Sequence, residues 1–511
     1  MNRPLMISSL LYLSLPYALF FVGWLKWYFA LAGIGFLLLP LFAHLDGRKS
    51  SPGTVEMEGP EHPKIRLYHV IVLILLSLIV MSISGVGGYG YQDTDWFKHN
   101  TILKDLIDRP WPVSYSIGGG EVPLVYYLAY YLPAALAGKL WGWQIANHFL
   151  FIWSFLGLVL AFMWFMKLNR RAALSALVMF ILFSGLDVIG QWLITPAVAA
   201  IRPEAGNYIR WDHIENWSIG WQYSSNITLL FWVPHQALAG WITAGLFGYV
   251  YFQDPERVNY LLYISLALLW SPFVALGLVP FCLADIIACK GQLLQRLRRY
   301  LTISNICGLA LLMIVGLFFS SKLYDISPLL TGEIPHGFRL SFAKDSQAKI
   351  IGIGLMLAFF LLEFGFYGIL VFIANKKWKG RSRVLFMITI LILLLLPLYS
   401  FGEANDLAMR ASIPALFILA VYISRALHQK SLSIPIRILL IGLLLLGSAT
   451  GYFEVKRHLS GIETNGAVIQ PPIYVNVMDL WNPGLEGSDS IVLQYVGSSQ
   501  SPFFQYLART P

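Results

Sequence analysis

Apolar runs of roughly 20 residues recur along this chain, separated by short polar stretches. The runs fall near residues 5–24, 27–44, 67–86, 144–166, 172–190, 227–251, 258–270, 273–289, 300–319, 349–374, 384–401, 412–426 and 437–453. Each of the longer ones can cross a bilayer as a helix. The pattern predicts about thirteen transmembrane helices in an all-α polytopic membrane protein. The stretch 258–289 is too long for one span and breaks at Trp270-Ser271-Pro272, where proline ends or kinks a helix. The first run, Leu5 to Trp24, has no small-residue cleavage site behind it and reads as a retained span.

The polar stretches are of two kinds. One set is short and rich in Lys and Arg, from Arg3 through Arg48, Lys64, Arg66, Lys167, Arg170, Arg171, Arg257, the 290–299 and 376–383 groups, and Arg425 to Arg437. It holds 21 of the 36 basic residues and only 7 of the 27 acidic ones. The positive-inside rule makes these loops cytoplasmic, with the N-terminus inside and the C-terminus outside. The other set is long: 87–143, 191–226, 320–348 and the tail 454–511. It carries most of the Trp, Tyr, Asp and His outside the spans, which points to a site at the outer membrane surface. Three units follow: a two-span hairpin with its inner loop (1–66), a transmembrane core (67–453) and the outer tail.

Composition agrees and narrows the function. Of 511 residues 57% are hydrophobic and 12% charged, against about a quarter charged in soluble domains; the mean hydropathy is +0.65. The net charge of +9 is not spread evenly. The inner loops sum to +14 and the remainder to −5, so the chain is basic on one face only and nucleic acid is not its partner. Cys282, Cys289 and Cys307 all lie in or beside apolar runs and offer no disulfide framework or zinc site.

The chemistry concentrates where the third run ends, at Gly90-Tyr-Gln-Asp-Thr-Asp-Trp-Phe-Lys-His-Asn100. Asp93 and Asp95 can act as a base toward a hydroxyl or clamp a divalent cation. The plainer alternative is that Asp93 caps a helix starting at Thr94 or Asp95. Asp93, nearer the span, is the expected base, with Asp95 and His99 orienting it. Asp95 and His99 share a helix face beside Lys98. Ile102, Leu103, Leu106 and Ile107 form the buried stripe of the same helix. The apolar, tyrosine-rich segment Val122 to Leu140 reads as a helix lying in the outer interface.

In the second outer loop Trp211, Trp217, Trp221 and Tyr223 alternate with Asp212, His213, Glu215 and Gln222. That pattern suits a sugar, with aromatic faces for C–H groups and polar side chains for hydroxyls; an interfacial aromatic belt is the competing reading. His235 and Gln236 follow near the outer end of a span. The third loop offers His336, Arg339 and Lys322. At a later span mouth Asp406 and Arg410 stand four apart, and Arg410 either pairs with Asp406 or meets a phosphate.

This layout resembles the type-C (GT-C) superfamily of membrane glycosyltransferases. Four features carry the resemblance: the Asp93/Asp95 pair in the first large outer loop, the Pro-Leu-x-Tyr-Tyr segment from Pro123, the helix pair broken at Ser271-Pro272, and the outer tail. It covers the chain from about Leu67, leaving the first two spans as an addition. It implies sugar transfer from a polyprenyl-phosphate donor to a glycan, lipid or protein acceptor, by an inverting displacement with an Asp base. Arg410, with Lys98 or Arg339, would neutralise the departing lipid phosphate. The expected setting is a bacterial or archaeal plasma membrane. A divalent metal, Mg or Mn, is compatible with the superfamily but not required by it. The rivals are a glycan polymerase or ligase using His235, His336, Arg339 and Arg410, a transporter or flippase, for which Glu363 is the one clear mid-span carboxylate, and an acyltransferase centred on His148.

Overall fold

Within an apolar run the backbone has no solvent partner, so its N–H and C=O groups pair with each other along a helix. The computed structural model describes residues 2–45, 66–117, 119–169, 173–255, 258–288, 293–324, 334–343, 345–375, 379–402, 405–465, 476–481 and 492–510. Among them six helices are long and apolar enough to cross a membrane: Arg3–Trp24, Trp143–Leu168, Ile303–Leu323, Ser346–Ala374, Arg381–Leu398 and Ile434–Thr464. Trp27–Ala43, Leu67–Ile83, Asp187–Ile201, Pro272–Ile287 and Ile413–Leu427 are apolar but shorter. The chain is a mainly helical, multi-pass integral membrane protein. Several basic residues used to orient it, including Arg48, Arg170, Arg257 and Lys377, lie outside the described residues.

Several predicted spans are interrupted, and the sequence gives physical reasons. The 227–251 run forms two helices, Asn226–Trp232 and Pro234–Gln253, because Pro234 has no N–H and starts a helix at its first turn. Tyr260–Leu268 and Pro272–Ile287 meet at the expected break, where the Ser271 hydroxyl accepts from the N–H of Val274. The 384–401 run ends not as helix but as a strand, Tyr399–Phe401. It pairs antiparallel with the strand His336–Phe338, and so pins the third long loop.

The N-terminal helix is built into the core. The Tyr17 hydroxyl donates to the carbonyl of Ser265 and accepts from the N–H of Leu269, and Trp270 Nε1 donates to the carbonyl of Leu13. Tyr12 stacks on Trp153 with ring centroids 4.3 Å apart. These contacts clamp the helix break between the N-terminal helix and the helix Trp143–Leu168.

The segment 122–140 departs from expectation. Val122 and Pro123 belong to a hairpin, Ser114–Ile117 with Gly120–Pro123, and helix begins only at Leu132. The intervening tyrosines do not lie in an interface. Tyr126, Tyr130 and Tyr131 are buried, and with Tyr127 they ring His235 at centroid distances of 5.9 to 6.5 Å. An aromatic, tyrosine-rich run is as suited to a packed core as to a membrane surface, and here the core wins.

The C-terminal segment is stitched back across the molecule. The N–H of Val125 donates to Tyr495 O at 2.7 Å and that of Gly497 to Pro123 O at 3.0 Å. Further on, Leu25 bridges Ala508 and the N–H of Arg509 donates to Trp24 O at 2.9 Å.

Candidate functional site

A cavity of about 600 Å³ forms where several helix ends meet. Thr94, Asp95, Phe97 and Lys98 come from the first turns of the helix Thr94–Asp108. Gln236 comes from the start of Pro234–Gln253, and Pro272 and Phe273 open the helix beyond the break. Phe319 and Lys322 close the helix Ile303–Leu323, Asp406 and Arg410 lie on Asp406–Ala411, and Gln494 and Tyr495 supply a wall from the tail. Three helices of at least 15 residues thus turn their N-termini toward one space, and the partial positive charge there favours an anion.

The polar groups in the cavity are only partly used. Asp95 pairs with Lys98 at 2.8 Å, the two side chains being 24% and 16% exposed. Burial would raise the Asp95 pKa, but Lys98, then His99 and Arg410, hold it below the usual carboxylate range. Arg410 Nε lies 3.6 Å from Asp406 Oδ1, beyond a hydrogen bond, and is buried without a partner. Gln236 is buried and its Oε1 has no partner either. Unpaired buried donors and acceptors are rare in folded proteins and point to a missing ligand or water. Lys322 Nζ donates to the carbonyl of Gln494 and lines the cavity beside Lys98 and Arg410.

Asp93 is not among the lining residues. It caps the helix: Oδ1 accepts from the N–H of Asp95 at 3.0 Å. Oδ2 faces His458 Nε2 at 3.7 Å and Arg457 at 3.9 Å, both on the helix Ile434–Asn465. Arg457 spends its charge on Glu454, 2.5 Å away. Burial, then the neighbouring Asp95, push the Asp93 pKa up to about 8 against the pull of Arg457. Asp93 is therefore a neutral acid at pH 7. His458 Nδ1 donates to the carbonyl of Glu454, which leaves Nε2 as an acceptor turned toward that acid. The two carboxylates point apart, and no group of three or more His, Cys, Asp or Glu among the described residues could share a metal ion.

His99 also leaves the cavity. It is buried, with Nε2 2.8 Å from Trp232 O and Nδ1 against the Tyr131 hydroxyl. A carbonyl can only accept, so the proton sits on Nε2 and Nδ1 receives the tyrosine. Burial, then Lys98, lower its pKa to about 4, which fixes this neutral form. His99 orients the helix and has no free nitrogen for catalysis.

The second long loop is spent on structure. Trp217, Trp221 and Tyr223 are buried and donate to Glu363, Pro397 O and Leu393 O. Glu215 is buried and accepts from Gln222, the N–H of Ser225 and the Thr228 hydroxyl, fixing the start of the helix Asn226–Trp232. Burial, then Asp187, raise its pKa to about 7. His213 binds Glu454 at 3.0 Å, and Trp211 is exposed beside Phe453. Arg339 donates to Ile219 O and lies over the Trp221 ring, bordering a separate hollow. The expected sugar platform is thus an inward-packed loop, because indole and phenol groups reached backbone carbonyls before any ligand could. His235 is buried behind Gln236, outside the lining.

One positional requirement lies outside the cavity. A Cβ on Gly277 would sit 2.1 Å from the carbonyl oxygen of Ala411. Only glycine lets the helix Pro272–Ile287 approach the Arg410 helix this closely.

Fold and site together define a multi-pass helical membrane protein with an aromatic-walled cavity at its helix ends, in which Lys98, Lys322 and Arg410 face two carboxylates, Asp95 and Asp406. A scan against family models, a search of curated proteins and a search of solved structures each returned no match.

Proposed function

We propose that the chain is a membrane glycosyltransferase that moves a sugar from a polyprenyl-phosphate carrier to a hydroxyl acceptor on the outer side of the membrane. The observation that carries this reading is that Asp95 and Arg410, far apart in sequence, line one cavity with Lys98 and Lys322. Asp95 takes the role first expected of Asp93. It accepts the acceptor's O–H proton while that oxygen attacks the anomeric carbon. The bond from this carbon to the phosphate oxygen breaks, and its electron pair leaves with the lipid phosphate. Arg410 and Lys98 neutralise that charge beside the Lys322 amine, and Arg410 has the free donor to do so. A carboxylate held anionic by these cations is a weak base when the site is empty. Once the donor phosphate engages them, their pull on Asp95 falls and its basicity rises. Tyr126 is stacked between Tyr127 and Tyr495, and the outer rings of that stack supply the aromatic wall for the sugar.

A transporter is the second reading. Asp187 and Glu363 are buried carboxylates, each at or beside a π-helical turn, and such turns recur at functional sites. Full-length protein in vesicles, supplied with a polyprenyl-phosphate sugar and a hydroxyl acceptor, separates the two. Transfer by the native chain, lost in Asp95→Asn, is expected. Movement of intact lipid without transfer, or unchanged transfer in Asp95→Asn, overturns the proposal.

A further inference from the structure

The helix Ile434–Asn465 reaches the cavity region through Arg457 and carries a different site toward its other end. Arg437 and Arg457 are separated by about 30 Å at 1.5 Å per residue, roughly the thickness of a bilayer's hydrocarbon core. Around Arg437 a groove of about 760 Å³ opens between this helix and the segment that begins at Ala173. Its walls are apolar: Val178, Met179 and Leu182 on one side, Ile441, Leu444 and Leu445 on the other. Val178, Leu182, Ile441 and Leu445 are exposed along it.

One end of the groove is basic. Lys430 is exposed there and Arg437 is half-buried. Arg437 donates one N–H to the carbonyl of Gln429 at 2.9 Å, while its Nε is buried with no partner. His428 contributes no free nitrogen, since Nδ1 is held by Ser424 O and Nε2 by the Ser175 hydroxyl. No carboxylate lines the groove among the described residues. Two cations, one with an unused donor, therefore face an apolar trough that runs two to three helical turns, Arg437 to Leu445, along the span.

We propose that this groove binds one anionic phospholipid. Lys430 and Arg437 hold its phosphate and an acyl chain lies along the Ile441–Leu445 wall. Arg suits phosphate through its paired donors, and a basic residue at a membrane surface favours an anionic lipid by about 1 kcal/mol, close to fivefold in affinity. The site lies at the opposite membrane face from the sugar-transfer cavity and does not depend on the proposed activity.

The test uses the full chain in nanodiscs or mixed micelles, with thermal unfolding and native mass spectrometry as readouts. Phosphatidylglycerol should raise the melting temperature more than phosphatidylcholine and remain bound as one retained lipid. Lys430→Gln should weaken that binding about fivefold, and the pair with Arg437→Gln roughly 25-fold. Leu445→Trp, at an exposed wall position, should block the chain without touching either charge and carries the test if Arg437→Gln fails to fold. Equal stabilisation by both lipids, or full phosphatidylglycerol preference in Lys430→Gln and Leu445→Trp, overturns the proposal. So does an equal shift with inorganic phosphate alone, which marks a free-anion site.

Discussion

Asp93 and Asp95 stand one residue apart and are turned to different tasks, so their Asn variants should fail differently. Asp95 sits in the first turn of its helix and pairs with Lys98 across three residues. Removing its charge forfeits a partly exposed ion pair worth under about 1 kcal/mol and a helix-dipole term of about 0.5 kcal/mol. That loss is too small to unfold a protein of this size. If Asp95 is the base, the same change should cut transfer 10²- to 10⁴-fold by the usual worth of a general base, about 3–5 kcal/mol of barrier. Asp93→Asn should do neither, because Asn caps a helix as well as Asp and Asp93 is already neutral at pH 7. What it should change is the pH dependence of stability. The folded pKa of Asp93, about 8, is raised above its unfolded value. Its contribution is therefore complete below pH 4 and is lost as pH rises through about 8, with a ceiling of about 6 kcal/mol. Thermal unfolding of native chain and Asp93→Asn from pH 5 to 9, beside vesicle assays at pH 7, checks both halves. Transfer abolished in Asp93→Asn but retained in Asp95→Asn refutes the assignment; identical pH–stability curves refute the buried neutral acid.

Three further outcomes follow from the same geometry. Arg410→Gln should raise the donor KM by 10- to 100-fold, the usual cost of losing a charge-assisted contact, and Arg410→Lys should recover part of it; steady-state kinetics with varied donor measures this. Gly277→Ala should cost about 1–3 kcal/mol by overpacking and also raise the donor KM, because the added Cβ presses on Ala411 beside Arg410; a lower melting temperature with unchanged KM would separate packing from the site. In the free enzyme the acid limb of the kcat/KM–pH profile should appear only below about pH 4, since Asp95 is held ionised; a pH–rate profile measures this.

How far the sequence could be read depended on whether one signal had one meaning. Asp95, Lys98, Asp406 and Arg410 stood at the ends of apolar runs, where a charge is costly, and they converge on one cavity. The helix break at Ser271-Pro272 was legible because proline leaves few alternatives. Aromatic patterning had two meanings. Trp217, Trp221 and Tyr223 could stack on a ligand or donate into the fold, and only three-dimensional proximity to Glu363, Pro397 and Leu393 decides. The tyrosines after Pro123 failed for the same reason. The hairpin before them has a visible mark in Gly119 and Gly120 at its turn, which the apolar run behind it obscured. Lys322 enters the cavity through its contact with Gln494, which no local pattern could reveal.

The wall formed by Gln494 and Tyr495 has a consequence for how the protein is made. These residues follow the last long helix, yet they bond to Pro123 and Val125 and lie beside Asp95. During synthesis the carboxylate and its neighbours would emerge first and wait, unroofed, for some 400 residues of further chain. At about 5–20 residues per second that interval is tens of seconds. A chain stalled before Gln494 would thus carry Asp95 and Arg410 with this wall of their cavity missing.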